Sequence, residues 1–208
     1  MRGADGVRDQ LTELFASDMP RRIELLRVAR GWGAETMPDV DVFLSGDVPD
    51  SELSSAKGHR VWLVVVNPRL IRIVATGDFS SAGDAEYHST YSCRVFIRTK
   101  GEDWQLSEQA RDHIAEAARA TLLQYPSLST TPGETGYRLV QATYNEDYGL
   151  PARVANNQGA WAAAILTVDV LAEECVDDGS TLPSVGEAQE VDVATLAVGA
   201  TEPMNGET

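Results

Sequence analysis

Apolar residues at helical spacing open the chain. They fall into two runs, Val7, Leu11 and Leu14, then Ile23, Leu26 and Ala29. Between the runs, Asp18 is placed to cap a helix and Pro20 to occupy its first turn, and Gly31 and Gly33 follow the second run. The pattern therefore predicts two consecutive N-terminal helices.

The basic residues are nearly all arginine, since Lys57 and Lys100 are the only lysines among 17 basic residues. Four arginines decorate the second predicted helix: Arg21, Arg22, Arg27 and Arg30. They form either a solvated helix face or a contact with an acidic neighbouring subunit.

β-Branched residues and alternation mark the middle of the chain as extended. Arg60–Val66 and Leu70–Ala75 are separated by Asn67 and Pro68, a turn signal that predicts a hairpin. Asp41–Leu44 is a weaker strand candidate.

Strict alternation continues from Glu86 to Arg98. One face of this predicted strand carries Tyr87, Tyr91, Cys93, Val95 and Ile97. The other face carries His88, Thr90, Ser92, Arg94 and Arg98. A period of two with one apolar face predicts a half-buried strand.

A long helix is predicted from about Ser107, a suitable cap, to Gln124, just before Pro126. Its apolar stripe recurs every three or four residues: Leu106, Ala110, Ile114, Ala117, Thr121 and Tyr125. Many of its other residues are alanines, so its surface is slim enough to pack closely on a sheet.

Two further strands are predicted, Tyr137–Asn145 and Ala160–Ala172, separated by the irregular segment Asp147–Gly159. Helices, strands, one long helix and more strands follow each other in blocks, which favours an α+β fold. We expect a mainly antiparallel sheet with one long helix packed on it and N-terminal helices before it. Residues 1–175 form one domain, and residues 176–208 form an acidic C-terminal extension.

Charge is distributed unevenly along the chain. The net charge is −15, and the residues after Arg153 contain ten acids and no lysine or arginine. Affinity for nucleic acid comes mostly from cations that neutralise phosphates, so a chain this acidic is a poor candidate for wrapping DNA. It remains able to guide DNA by repelling it.

No catalytic or metal-binding motif is found, so neither an enzyme nor a cofactor is predicted. The histidines lack the spacing of a zinc site: His59, His88 and His113. His113 with Asp112 and Glu116 is the best acid–base cluster, and a solvated helix face is its simpler interpretation. A small hydrolase would need a pocket in which several of these three residues, His88 and Cys93 converge.

Two cysteines, Cys93 and Cys175, have no partner at metal-ligand spacing, and we expect free thiols, with a disulfide as the alternative. The longest mostly apolar stretch, Ala160–Val168, is too short to cross a bilayer. Charged residues interrupt the N-terminus where a secretory signal would need an apolar segment. The sequence therefore predicts a protein that folds in a cytoplasm and has no membrane partner.

A strand passes into an alanine-rich helix in the run RVFIRTKGEDWQLSEQARDHIAEAARATLL, and strand character returns in GAWAAAILTVDVLAEE. Over most of the chain, these runs and the element order resemble the tail-terminator and neck proteins of long-tailed bacteriophages. The resemblance implies a structural virion protein in the tail-neck region, made in the bacterial cytoplasm. It implies a homo-oligomer, usually a hexameric ring, that stops tail-tube polymerisation. Its partners would be the tail tube protein and a head-completion protein, and DNA would pass through without specific binding.

In a ring, we expect the subunits to contact each other through loops and sheet edges, because unpaired strand edges must be covered or used for binding. Candidate subunit contacts lie in Asp78–Ala85 and Asp147–Gly159: Asp78, Phe79, Asp84, Tyr148, Arg153 and Asn156. Candidate acids facing the lumen are Glu173, Glu174, Asp177 and Asp178, with a solvating acidic tail as the alternative. A head-to-tail adaptor or tail-completion protein in another neck layer is the alternative function, and a small hydrolase is the alternative from another class.

Overall fold

Two helices and six strands make up the described part of the chain. The computed structural model describes residues 3–46, 60–66, 68–75, 85–130, 136–153 and 159–176. The elements are α1 Gly3–Arg30, β1 Val42–Ser45, β2 Arg60–Val65, β3 Arg69–Ala75, β4 Ala85–Gly101, α2 Trp104–Gln124, β5 Tyr137–Arg153 and β6 Ala160–Val176. The predicted α+β class is confirmed. The predicted acidic extension lies outside the described residues beyond Val176.

The six strands form one mixed sheet in the order β1-β2-β4-β6-β5, and β3 also pairs with β4. β1 runs parallel to β2, and the other pairings are antiparallel. The predicted strand at Glu86–Arg98 is confirmed as the central β4, which is longer at both ends. Most of the sheet is therefore antiparallel, as predicted.

The hairpin predicted around Pro68 is wrong. β2 pairs with the Val95–Lys100 part of β4, and β3 pairs with the Tyr87–Ser92 part of the same strand. β2 and β3 therefore run in one direction along one edge of β4. Proline has no N–H to donate to a strand ladder, so Pro68 interrupts this edge without reversing the chain.

The N-terminal segment is one helix of 28 residues, longer than the 21-residue α2. The prediction of two N-terminal helices is therefore wrong, and the prediction of one long helix is not confirmed, because α1 and α2 are both long. Pro20 lies inside α1, and Asp18 is buried inside it and does not act as a cap. A proline inside a helix costs about 3 kcal/mol, and burial of Met19 and Ile23 on either side offsets that cost.

The cap of α2 is Asp103, not Ser107. The Asp103 carboxylate accepts a hydrogen bond from the backbone N–H of Leu106 at 2.8 Å, as an N-cap does. Ser107 lies one turn later, and its hydroxyl lies 2.8 Å from the carbonyl oxygens of Asp103 and Ala160. That contact anchors the start of α2 to the start of β6.

Both helices pack on one face of the sheet. Alternate residues of β4 and β6 supply the sheet side of this core: Tyr91, Cys93, Val95, Ile97, Ala164, Leu166, Val168, Val170 and Ala172. The opposite face carries no helix in the described residues, and we call it the helix-free face. Every second residue of β4, from His88 to Lys100, lies on it, since the residues between them are buried against the helices.

β5 is longer than predicted. The segment Asp147–Gly159 was expected to be irregular, yet β5 continues to Arg153 and pairs with β6. The register shifts between Gly149 and Ala152, around Pro151. A bulge at this position lets the strand tolerate glycine and proline, the two residues that made it look like a loop.

Candidate assembly surfaces

β3 carries four exposed apolar side chains: Leu70 at 44% exposure, Ile71 at 51%, Ile73 at 55% and Val74 at 39%. Within the described residues, β4 is the one strand that pairs with β3. Neither helix makes extensive contact with β3. An edge strand with apolar residues on both faces is a surface that proteins normally cover.

Tyr148, predicted at a subunit interface, lies on β5 with 41% exposure and belongs to a polar cluster around Glu146. The Glu146 carboxylate accepts hydrogen bonds from the hydroxyls of Tyr144 and Tyr148. Arg119 of α2 donates to both oxygens of the same carboxylate at 3.0 and 3.2 Å. The cluster therefore fastens β5 to α2.

Burial and Glu146 both raise the pKa values of the two tyrosines. Partial burial, then the hydrogen bond to Glu146 and its charge, raise the pKa of Tyr148 to about 12. The same causes, burial first, raise the pKa of Tyr144 well above its usual value of 10.0. Both phenols are therefore hydrogen-bond donors at neutral pH.

Arg111 completes this surface and is a functional candidate that the sequence pattern missed. Its side chain is 5% exposed, donates to the Gly149 carbonyl at 2.7 Å and pairs with Glu108 and Asp112. Its guanidinium carbon lies 5.1 Å from the ring centre of Tyr148. Its partner Gly149 lies beyond the predicted end of β5 at Asn145, so the sequence pattern gave no sign of this contact.

Five other residues were predicted at the subunit interface. Asp78, Phe79, Asp84 and Asn156 lie outside the described residues, and Arg153 is the last residue of β5.

Of the predicted lumen acids, Glu173 is exposed on β6 opposite His88 of β4, and Glu174 follows it in the strand. Asp177 and Asp178 lie outside the described residues. Tyr148 pairs with Ala164, nine residues before Glu173 on β6, so the two candidate surfaces are separated by roughly 30 Å.

The acid–base residues named for a hydrolase occupy different parts of the fold. His113 stacks on Trp32 with ring centres 3.7 Å apart, and its Nδ1 lies 2.9 Å from the Thr36 carbonyl oxygen. His88 lies on the helix-free face, on the other side of the sheet from His113. Cys93 is buried, and burial, with a smaller effect of Asp169, raises the pKa of its thiol to about 12.

The described residues contain no group of three or more histidine, cysteine or acidic side chains that could hold a metal ion. A cavity of about 270 Å³ is lined by Glu35, Gly101, Glu102 and Leu106, which offer two carboxylates and one apolar side chain. Neither described helix is long and apolar enough to cross a membrane.

Cys93 and Cys175 lie too far apart for a disulfide within one chain. Cys93 pairs with Val168 of β6, and Cys175 lies seven residues further along that strand. This separation is roughly 23 Å, whereas a disulfide needs Cα atoms within about 7 Å. The alternative of an intramolecular disulfide is therefore wrong.

Comparison of the sequence with known protein families finds no match, and comparison with curated proteins finds no relative. Function is therefore inferred from the surfaces described above and from the resemblance in sequence pattern.

Proposed function

We propose that this chain is a ring-forming structural protein of a long-tailed phage virion, the tail terminator that caps the tail tube. The observation that carries the proposal is β3, a sheet edge with four exposed apolar side chains. Each of these side chains is already about half buried, so covering the rest against a neighbour would contribute about 0.7–1.5 kcal/mol per side chain before the costs of association. A surface of this kind supports an assembly component.

A ring requires a heterologous interface, in which each subunit presents one patch to the next and a different patch to the previous one. β3 supplies the first patch. The β5–α2 surface around Tyr148 supplies the second, since it combines an exposed aromatic ring with the ion pair of Glu146 and Arg119. Aromatic and arginine side chains dominate the binding energy of many interfaces.

The mass of the purified full chain in solution tests the proposal. We expect an oligomer of about six copies, or a monomer that assembles when tail tubes are added. Ile71→Lys combined with Ile73→Lys should abolish assembly, because it places two charges in the contact.

Val28→Lys on α1 is the control, since Val28 is 75% exposed and its substitution adds the same kind of charge far from β3. A β3 variant that assembles as well as the control would contradict this interface.

The same purified protein can be used to determine which layer of the neck it occupies. A tail terminator should halt the growth of purified tail tube protein and appear at the tube end by electron microscopy. A protein that binds the head-completion side and leaves tube growth unchanged would instead be a head-to-tail adaptor or tail-completion protein. A small hydrolase is less well supported, because His88, His113 and Cys93 do not converge.

A further inference from the structure

The arginines of this protein divide into two groups. Eight of those with described side chains have a carboxylate within 4.0 Å: Arg8, Arg21, Arg22, Arg27, Arg30, Arg60, Arg111 and Arg119. In particular, the α1 arginines that were predicted to be solvated or to contact a neighbour are bound within the chain. The other five form no ion pair with any residue whose side chain the structure describes: Arg69, Arg72, Arg94, Arg98 and Arg138.

All five of these arginines lie on the helix-free face. Arg94 and Arg98 alternate with buried residues of β4. Arg69 and Arg72 of β3 lie opposite Ser92 and Thr90, which also face away from the helices. Arg138 of β5 lies opposite Leu171, the residue that pairs with Thr90. One row across four strands therefore carries an arginine at each end, Arg72 and Arg138.

We propose that the acidic C-terminal segment of the same chain, residues 177–208, docks on these five arginines. The segment contains seven acids and no lysine or arginine: Asp177, Asp178, Glu187, Glu190, Asp192, Glu202 and Glu207. Its charge is opposite to that of the arginine face, and guanidinium groups bind carboxylates with good geometry.

The segment begins at the end of β6, within reach of the arginines. β6 ends at Val176, which pairs with Ala85, five residues beyond the row of Arg72 and Arg138. Five strand residues span roughly 17 Å, and the 32 residues that follow Val176 reach about 100 Å when extended. A tethered segment also has an effective concentration in the millimolar range, which favours it over a free acidic partner.

Nucleic acid is the other polyanion that five arginines suggest, and the face suits it less well. Asp147, Asp169 and Glu173 lie on the same face and would repel a continuous phosphate backbone. The net charge of −15 adds repulsion at longer range. Separate carboxylates on a peptide avoid these three acids more easily than a duplex does.

Spin labels in the full chain test the docking. One label replaces Ala188 in the segment and a second replaces Asn145, an exposed residue on the helix-free face, in a Cys175→Ser background. The native Cys93 is buried and does not compete for the label. We expect a short and narrow distance between the labels. In a control with the second label at Glu13 of α1, we expect a longer distance.

Charge variants decide whether the arginines hold the segment. Replacement of Arg69, Arg72, Arg94 and Arg138 by glutamine should remove the short distance, and replacement by lysine should preserve it. About 1 M salt, where the Debye length is about 3 Å, should also remove it. An unchanged distance in the glutamine variant would overturn the proposal.

Two further experiments distinguish the segment of the same chain from other molecules that could bind the arginines. Dilution with unlabelled chains should leave the short distance intact, because the two labels belong to one molecule. Its loss on dilution would assign the segment to a neighbouring copy and overturn docking within one chain. Duplex DNA at physiological salt should not change the distance, and displacement of the segment by DNA would assign the face to nucleic acid.

Discussion

At the scale of single residues, the buried carboxylate of Asp18 joins the two helices. It is 2% exposed, pairs with Arg22 at 3.1 Å and accepts a hydrogen bond from the Thr121 hydroxyl of α2 at 2.7 Å. Loss of one partner from a buried pair leaves the other unsatisfied. We expect Asp18→Ala to lower the free energy of unfolding by about 3 kcal/mol in urea denaturation.

Asp9→Ala is the matched control for Asp18, since it removes the same group from the same helix. Asp9 is 62% exposed and pairs with Arg8 at the surface. Its loss should change stability by no more than about 0.5 kcal/mol. Equal losses in the two variants would mean that the buried contact to α2 contributes nothing of its own.

The cluster around Glu146 gives a pH dependence at the same scale. The pKa of Tyr148 in the folded state is about 12 against an ordinary value of 10.0, so the neutral phenol stabilises the fold. That contribution is complete below pH 10 and is lost as the pH rises towards 12. Unfolding experiments across this window should show the loss, and the absorbance of phenolate should show late ionisation of this residue.

Glu146→Gln should lower the pKa of Tyr148 partway towards 10.0, because burial, the largest cause of its shift, remains. Asp147→Asn is the control, since it removes one charge from the neighbouring position. Asp147 pairs with Ile165 of β6 and lies on the opposite face of β5 from Glu146. A Tyr148 titration that is the same in both variants would contradict the hydrogen-bonded cluster.

Alternation in the sequence predicted Tyr91, Val95 and Ile97 as core residues, because a strand with one apolar face leaves little choice. It did not predict the buried positions of Asp18 and Arg111. A charged residue is buried when its partners lie on other elements, here Thr121 on α2 and Gly149 on β5. Pairings between distant segments leave no local pattern along the chain.

At the scale of elements, the start of α2 depends on Asp103. Its side chain satisfies the backbone N–H of Leu106, and loss of an N-cap costs about 1 kcal/mol. We expect Asp103→Ala to lower the free energy of unfolding by that amount. Glu102→Ala, one residue earlier and also exposed, should change it by less than about 0.5 kcal/mol. Similar effects in the two variants would contradict the capping role.

Element types were easier to predict than element partners. The strands at β2, β3, β4 and β6 follow from β-branched residues and alternation, whereas the pairing of β2 and β3 does not. Asn67 and Pro68 are compatible with a turn or with an interrupted edge, and the long β4 selects the second by pairing with both strands. Gly149 and Pro151 are likewise compatible with a loop or with a strand that contains a bulge, so the end of β5 was not predicted.

At the scale of the whole molecule, segregated helices and strands were enough to predict an α+β fold with a mainly antiparallel sheet. Sheet edges were predicted as contact surfaces in general, but the candidate residues were placed in Asp78–Ala85 and Asp147–Gly159 and not on β3. Leu70 and Ile73 are exposed because the helices do not extend over β3. The apolar pattern of β3 carries no information about the extent of the helices. The same pattern fits a strand covered by a helix or by another subunit.

Passage of DNA through the proposed ring depends on the charge of its lumen wall. In a ring that caps a tail tube, carboxylates on the lumen wall repel DNA over a Debye length of about 8–10 Å. Glu173 is exposed on β6, and Glu174 is the next residue. Reversal of both to lysine should give the assembled ring a measurable affinity for duplex DNA that falls steeply as salt rises. The wild-type ring should show none in the same anisotropy titration. Asp5→Lys with Asp9→Lys on α1 makes an equal charge change, so equal binding by this control would place Glu173 and Glu174 away from the DNA path.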